Sequence, residues 1–227
     1  GLLDWTVQVD PICDFSDLLT VADDPDYDSY VRGHFAELID RYRPDVLWND
    51  IGLPPGVSRT ALFRSYRDSV PSGVTNDRWQ QVPPLLRRLL ALPAFRRRVS
   101  ERARKSILAG EPTGRHGDVS TMEYPRKTKL RDKPWEAVRS IGRSFCYNAQ
   151  EPPEAYLTGD QLTALVADVV SKNGNVLINV GPKLDGTIPR EQREPLLALA
   201  RWLRTHGSAI YGTRPWRTYG EGDSEVV

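Results

Sequence analysis

One stretch near the C-terminal end constrains the fold more than any other. Thr158-Gly-Asp-Gln161 has the spacing of a capping box, in which the Thr hydroxyl and the Gln side chain each satisfy an orphan amide at a helix start. It predicts a helix over 162–171, ended by Gly174. Asn175-Val-Leu-Ile-Asn-Val180 is then the clearest strand in the chain, and a glycine-containing turn leads through Pro189 to a helix over 190–206, closed by Gly207. A helix, a buried-type strand and a second helix in succession are the repeating parts of a parallel sheet covered by helices.

The same alternation runs through the upstream half. A strand is expected over 2–9, an acidic loop over 23–28, and a helix over 29–42 with Val31, Phe35, Leu38 and Ile39 on one face. Pro44 stops that helix, and residues 45–48 read as a short strand. A helix over 58–68 and a strand over 73–76 follow, with weaker strands over 119–123 and 141–147. The expected class is α/β, specifically an incomplete (β/α)8-type TIM barrel whose first strands lie before Gly1. About six strand segments are readable where a closed barrel needs eight and typically ~250 residues. Residues 1–212 are expected to form the partial barrel with an inserted helical segment at about 80–115. Residues 213–227 would begin a connection toward a further β domain.

Composition narrows the partners. Thirty-one basic against thirty acidic side chains leave a net charge of +1, so global electrostatics point to no nucleic acid or other polyanion. No apolar run reaches the length of a membrane span. Two cysteines, Cys13 and Cys146, exclude a disulfide-dense scaffold, and His34, His116 and His206 are too scattered for a zinc motif. The Arg-rich amphipathic run over 82–110 is expected to be a helical excursion with solvated arginines, since no matching basic face accompanies it.

In barrels of this kind the reactive groups sit at the C-terminal ends of strands. The polar residues there are Asp50, Asp77 with Arg78, and Glu123, while Asn179 falls within the last strand. Two carboxylates on separate strands suit glycoside hydrolysis, in which one attacks or activates water and the other protonates the leaving oxygen. The neighbouring aromatics Trp48, Trp79 and Tyr124 suit the C–H faces of sugars. Such carboxylates also serve as caps and ion-pair partners, so geometry alone leaves both readings open.

Three segments carry a resemblance to a known family. Glu37-Leu-Ile-Asp-Arg-Tyr-Arg-Pro-Asp-Val-Leu-Trp-Asn-Asp50 resembles glycoside hydrolase family 29, the retaining α-L-fucosidases. So do the segment from Val169 to Pro189 and the one from Trp202 to Trp216. The resemblance implies Asp50 as nucleophile, from the Leu-Trp-Asn-Asp motif, and Glu123 as general acid/base, from Thr-Met-Glu-Tyr. Glu136 is a second carboxylate open for the latter role. It further implies that Arg78 hydrogen-bonds the sugar and that Trp48 and Phe145 line its pocket, with Phe145 near the C6 methyl. Arg78 could alternatively pair with Asp77 or another acid, and both aromatics could be core residues.

What the resemblance implies for function is hydrolysis of terminal α-L-fucosyl residues from fucosylated glycans by double displacement. No cofactor and no metal is expected. The alternatives are another retaining glycosidase on the same barrel and a non-catalytic carbohydrate binder. The family's sugar-binding histidines lie upstream of the first strand read here, so these 227 residues by themselves are expected to be inactive.

Overall fold

The computed structural model describes residues 24–108, 116–125 and 128–220. The strand expected over 2–9 and Cys13 lie outside them. The chain divides into two compact units, Gly1–Thr121 and Met122–Val227. Among the described residues, no helix is long and apolar enough to cross a membrane.

In the first unit, α1 (Pro25–Tyr42) begins four residues before the start expected at 29, because the acidic run is the first turn of the helix and not a loop. Asp24 caps it, accepting from the amides of Asp26 at 2.7 Å and Tyr27 at 3.1 Å. Pro25 takes the first helical position, where its missing N–H costs nothing, and Asp26 and Asp28 face the positive end of the helix dipole. Arg43 in the left-handed region closes the helix ahead of Pro44. Strand β1 (Val46–Leu47) pairs in parallel with β2 (Val74–Thr75), and α2 (Arg59–Ser69), capped by Ser58, connects them. The Arg-rich run is two helices, α3 (Pro84–Leu90) and α4 (Pro93–Leu108), because Pro93 disfavours helical geometry at the residue before it.

The core of this unit joins Val31, Phe35 and Ile39 of α1 to Leu47, Leu53, Tyr66 and Trp79. Leu38, placed by periodicity on the same face as Val31, is exposed. Trp79 is wholly buried, with Phe35 at 5.4 Å and Phe63 edge-on at 5.1 Å between ring centroids. The fully buried Tyr66 lies under the β1–β2 pair with its hydroxyl 2.7 Å from the Pro44 carbonyl and 3.0 Å from that of Asp45. A hydroxyl has one proton, so the shorter contact is the donated bond.

Strand β3 (Ser120–Glu123) runs across the boundary between the units. It leads a three-stranded sheet in the order β3–β4–β5, with β4 Trp135–Ser140 and β5 Gly174–Asn179. β4 and β5 are parallel, in register from Trp135↔Gly174 to Ser140↔Asn179. The weak strand expected over 141–147 is not one: those residues form bends, and the strand lies just before them.

Helix α5 (Gly159–Ser171) opens with the expected capping box, both halves formed. Its end differs from expectation. Asn173, not Gly174, takes the left-handed conformation, and Gly174 is required instead because a Cβ would fall 2.6 Å from the Trp135 ring. Helix α6 (Arg190–His206) runs as expected. Trp135, Met122 and Ile141 pack with Leu162, Leu165 and Val169 of α5 into the second core.

Replacing Trp79 by Ala should cost about 3–5 kcal/mol, read as a lower denaturant midpoint at unchanged slope. Tyr66→Phe should cost about 0.5–1.5 kcal/mol, because it removes the bond donated to the Pro44 carbonyl. Burial, aided by the negative charges of Asp45 and Asp118, raises the Tyr66 hydroxyl above its ordinary value of 10.0. A group raised in the fold contributes stability in full below its unfolded pKa and loses it as pH climbs through the folded one. The gap between the parent and Tyr66→Phe should therefore narrow above about pH 10.

Candidate active site

The parallel register of β1 and β2 sets Val46 beside Val74 and Leu47 beside Thr75. Continued past the strand ends, it brings Trp48-Asn-Asp50 alongside Asn76-Asp-Arg78. The backbone there is held by side chains. The Asn49 amide N–H donates to Asn76 Oδ1 at 2.9 Å, and Asn76 Nδ2 donates back to the Asn49 carbonyl at 2.7 Å. Asn49 Nδ2 reaches the carbonyls of Gly52 at 2.6 Å and Arg78 at 2.9 Å. Beyond Asp50 the chain turns through two consecutive left-handed residues, Ile51 at φ 66° and Gly52 at φ 83°. Only the second suits that region, so Ile51 is strained. The turn is held by backbone bonds from Gly52 N to Arg78 O at 3.2 Å and from Leu53 N to Gln80 O at 3.0 Å.

This arrangement presents Asp50 to solvent on a fixed support. Its carboxylate is 34% exposed, while the Arg78 side chain that pairs with it at 2.8 Å is only 7% exposed. The Ile51 amide donates to the same carboxylate oxygen at 3.0 Å. The Arg78 guanidinium also stacks over the Trp48 ring at 5.2 Å. Trp48, Asp50 and Arg78 thus form one cluster, and Arg78 pairs with Asp50 and not with Asp77. The Asp77 carboxylate faces Thr121, whose amide and hydroxyl both donate to Oδ1, at 3.0 and 2.6 Å. Trp79, read from sequence as an aromatic for a sugar face, is corrected by its burial: it is a core residue.

In the second unit, Glu123 closes β3 half-buried, and Tyr124 after it again adopts a left-handed φ, of 44°. The Tyr124 amide donates to the Val138 carbonyl at 3.0 Å, and its hydroxyl donates to Arg143 O at 3.0 Å while accepting from the Ser140 amide at 3.2 Å. Burial raises that hydroxyl's pKa above 10.0. Phe145 meets the Tyr124 ring edge-on at 5.5 Å and is 37% exposed, a surface aromatic on a rigid base. Asn179 Nδ2 donates to the Phe145 carbonyl at 2.6 Å, and the Glu151 carboxylate accepts from the amides of Arg143 and Ser144. Glu136 is the second residue of β4 and accepts from Asn175 Nδ2 at 2.7 Å. It sits at the N-terminal end of its strand, whereas Glu123 sits at the C-terminal end of its own.

Thr121, Asn49, Asn76, Glu151 and the holding role of Asn179 were not singled out from sequence. The available signal was polar residues in buried strand positions, such as Thr121 within Val-Ser-Thr-Met. Among the described residues, no group of His, Cys, Asp and Glu could hold a metal ion.

The Asn49–Asn76 exchange supports the cluster from below. Asn76→Ala should cost about 2–3 kcal/mol, since two buried backbone groups of Asn49 lose their partners. It should also weaken the Asp50–Arg78 pairing, seen as greater solvent exchange at the Ile51 amide.

Known proteins place the cluster in context. The family described as Alpha-L-fucosidase matches residues 8–208. The crystal structure of the Thermotoga maritima alpha-fucosidase in complex with a mechanism-based inhibitor is similar, with a TM-score of 0.72 and 39% identity. That similarity covers 96% of this chain and 43% of the other. Human plasma alpha-L-fucosidase is 30% identical over 192 residues, covering 82% of this chain and 35% of that protein. Rat tissue alpha-L-fucosidase is 27% identical over 202 residues, covering 84% and 37%. The chain spans less than half the length of each of these relatives. It is a member of the alpha-L-fucosidase family.

Proposed function

We propose that the protein carrying this chain is a retaining exo-glycosidase that releases terminal α-L-fucosyl residues from fucosylated glycans, on a (β/α)8 catalytic barrel to which residues 1–212 belong. The observation that carries the reading is Asp50: a carboxylate at the C-terminal end of a parallel strand, open to solvent, held by a buried arginine and a backbone amide. A nucleophile needs that combination. The exposed oxygen attacks the anomeric carbon, and the arginine holds the attacking group in place.

In the first step Asp50 attacks C1 through an oxocarbenium-like transition state while Glu123 gives its proton to the departing oxygen. The bond from C1 to the leaving oxygen breaks as the C1–Asp50 bond forms, with inversion. Water then attacks C1, Glu123 takes its proton, and Asp50 departs with a second inversion, for net retention. The place of Glu123 at the C-terminal end of β3 favours it over Glu136, which lies at the opposite end of a strand and bonds Asn175. Arg78 would bond the sugar as well as Asp50, Trp48 would flank it, and Phe145 would face the 6-deoxy methyl. A methyl pocket gives only ~1–3 kcal/mol, so hydroxyl-directed bonds carry most of the sugar discrimination.

A 2-deoxy-2-fluoro fucosyl fluoride should label the peptide carrying Asp50, read by mass mapping. No label, or a label elsewhere, overturns the assignment and favours a carbohydrate binder or another nucleophile. Aryl α-L-fucoside should be cleaved in preference to α- and β-galactosides. Glu123→Ala should lower kcat about 10²–10⁴-fold on poor leaving groups; on an activated aryl fucoside, whose departure needs no acid, azide should restore turnover as the α-fucosyl azide. Azide rescue of Asp50→Gly should instead give the β-azide. The two carboxyl groups should lie about 5–5.5 Å apart in an experimental structure.

A further inference from the structure

Three side chains behind Asp50 form a chain in which every hydrogen bond has a forced direction. Asp77, Arg78 and Thr121 are nearly closed to solvent, at 4%, 6% and 0% exposure. The Thr121 hydroxyl lies 2.6 Å from Asp77 Oδ1 and 2.9 Å from Arg78 Nε. A carboxylate accepts and a guanidinium donates, so the single hydroxyl proton goes to Asp77 and a hydroxyl lone pair receives the Arg78 Nε–H. No other arrangement satisfies both neighbours. The hydroxyl is thereby a fixed, one-way bridge and not a rotor.

Its location on the arginine decides what it controls. Nε sits at the root of the guanidinium, so a bond there fixes the plane in which the terminal nitrogens lie. Nη1 in that plane donates to Asp50 Oδ1 at 2.8 Å, and the same plane lies over Trp48. The Asp50 contact engages the guanidinium at one terminal nitrogen. The Thr121 bond engages it at the root of the same plane, and two bonds at separate nitrogens define that plane. Thr121 is itself held, because its amide also donates to Asp77 Oδ1 at 3.0 Å.

We propose that Thr121 is a positioning residue for the nucleophile: through a directional Asp77–Thr121–Arg78 relay it sets the plane of the guanidinium that aims Asp50. The inference rests on the functional reading above for its consequence in catalysis, but the alignment itself can be read without turnover.

The test compares Thr121→Val, which keeps the shape and loses the hydroxyl, with Thr121→Ser, which keeps the hydroxyl. The primary readout is solvent exchange of the Arg78 Nε–H proton in nitrogen-15 spectra of the full protein, assigned by its disappearance in Arg78→Lys. The unaltered protein and Thr121→Ser should protect that proton, while Thr121→Val should lose about tenfold or more of the protection. Should the valine protein not fold, Thr121→Ala demands no added volume and reads the same quantity. The rate of covalent labelling at Asp50 should fall about tenfold or more in Thr121→Val and return in Thr121→Ser. Adding Thr121→Val to Arg78→Lys should bring no further loss, since Lys has no Nε–H at the root of a plane. Full protection in Thr121→Val, or equal loss in Thr121→Ser, overturns the alignment. Absence of label on Asp50 in the unaltered protein overturns the catalytic reading, and the exchange data still decide the alignment.

Discussion

A buried guanidinium is expensive to remove from water, and the first unit is organised around making that tolerable for Arg78. Desolvating such a charge costs several kcal/mol unless charge and hydrogen bonds return it. Here Asp50 supplies the opposite charge, Thr121 accepts at Nε, and the Trp48 face lies against the cation. The demand reaches backward into the fold. Asp50 must stand beside Arg78, which requires the parallel register of β1 and β2, and the register is locked by the Asn49–Asn76 exchange. Strands of only two residues each could not hold that register by their ladder alone.

Strain collects where the chemistry is expected. Ile51 and Tyr124 are two of the four non-glycine residues with positive φ among the described residues, and each directly follows a proposed catalytic carboxylate. A β-branched side chain at φ 66° persists only where its surroundings over-determine it. At Ile51 they do so through its bond to Asp50 and the two backbone bonds of the following residues. At Tyr124 the amide, the hydroxyl and the ring are all engaged. In both places the residue directly after the carboxylate leaves the extended conformation.

The loop carrying Phe145 shows the same economy by other means. It has no ladder of its own, so its amides bond the Glu151 carboxylate and its carbonyls bond Tyr124 and Asn179. These bonds and the edge-on contact with Tyr124 hold a half-exposed aromatic on a loop without a strand ladder. Two leucines of the Arg-rich run are different, one in α3 and one between α3 and α4. Leu85 and Leu92 are exposed, and neither belongs to the described cores.

Local chemistry was legible in the sequence wherever neighbours along the chain decide it. The capping box at Thr158, the span of α6 and the place of Glu123 at a strand end follow from spacing and side-chain type, whose physics acts over a few residues, whereas Asp50, read as ending its strand, stands three residues beyond it. The motifs also carried the family. What the tertiary structure decided depends on groups distant in sequence. The burial of Trp79, the choice of Asp50 over Asp77 as the partner of Arg78, and the bridging of Thr121 across forty-three residues cannot be read from periodicity. The strand Trp135–Ser140 is not legible for a related reason: its Glu and Arg interrupt the apolar pattern, and pairing with β3 and β5 makes it a strand. Sequence names the groups able to react; the fold alone decides which of them face one another.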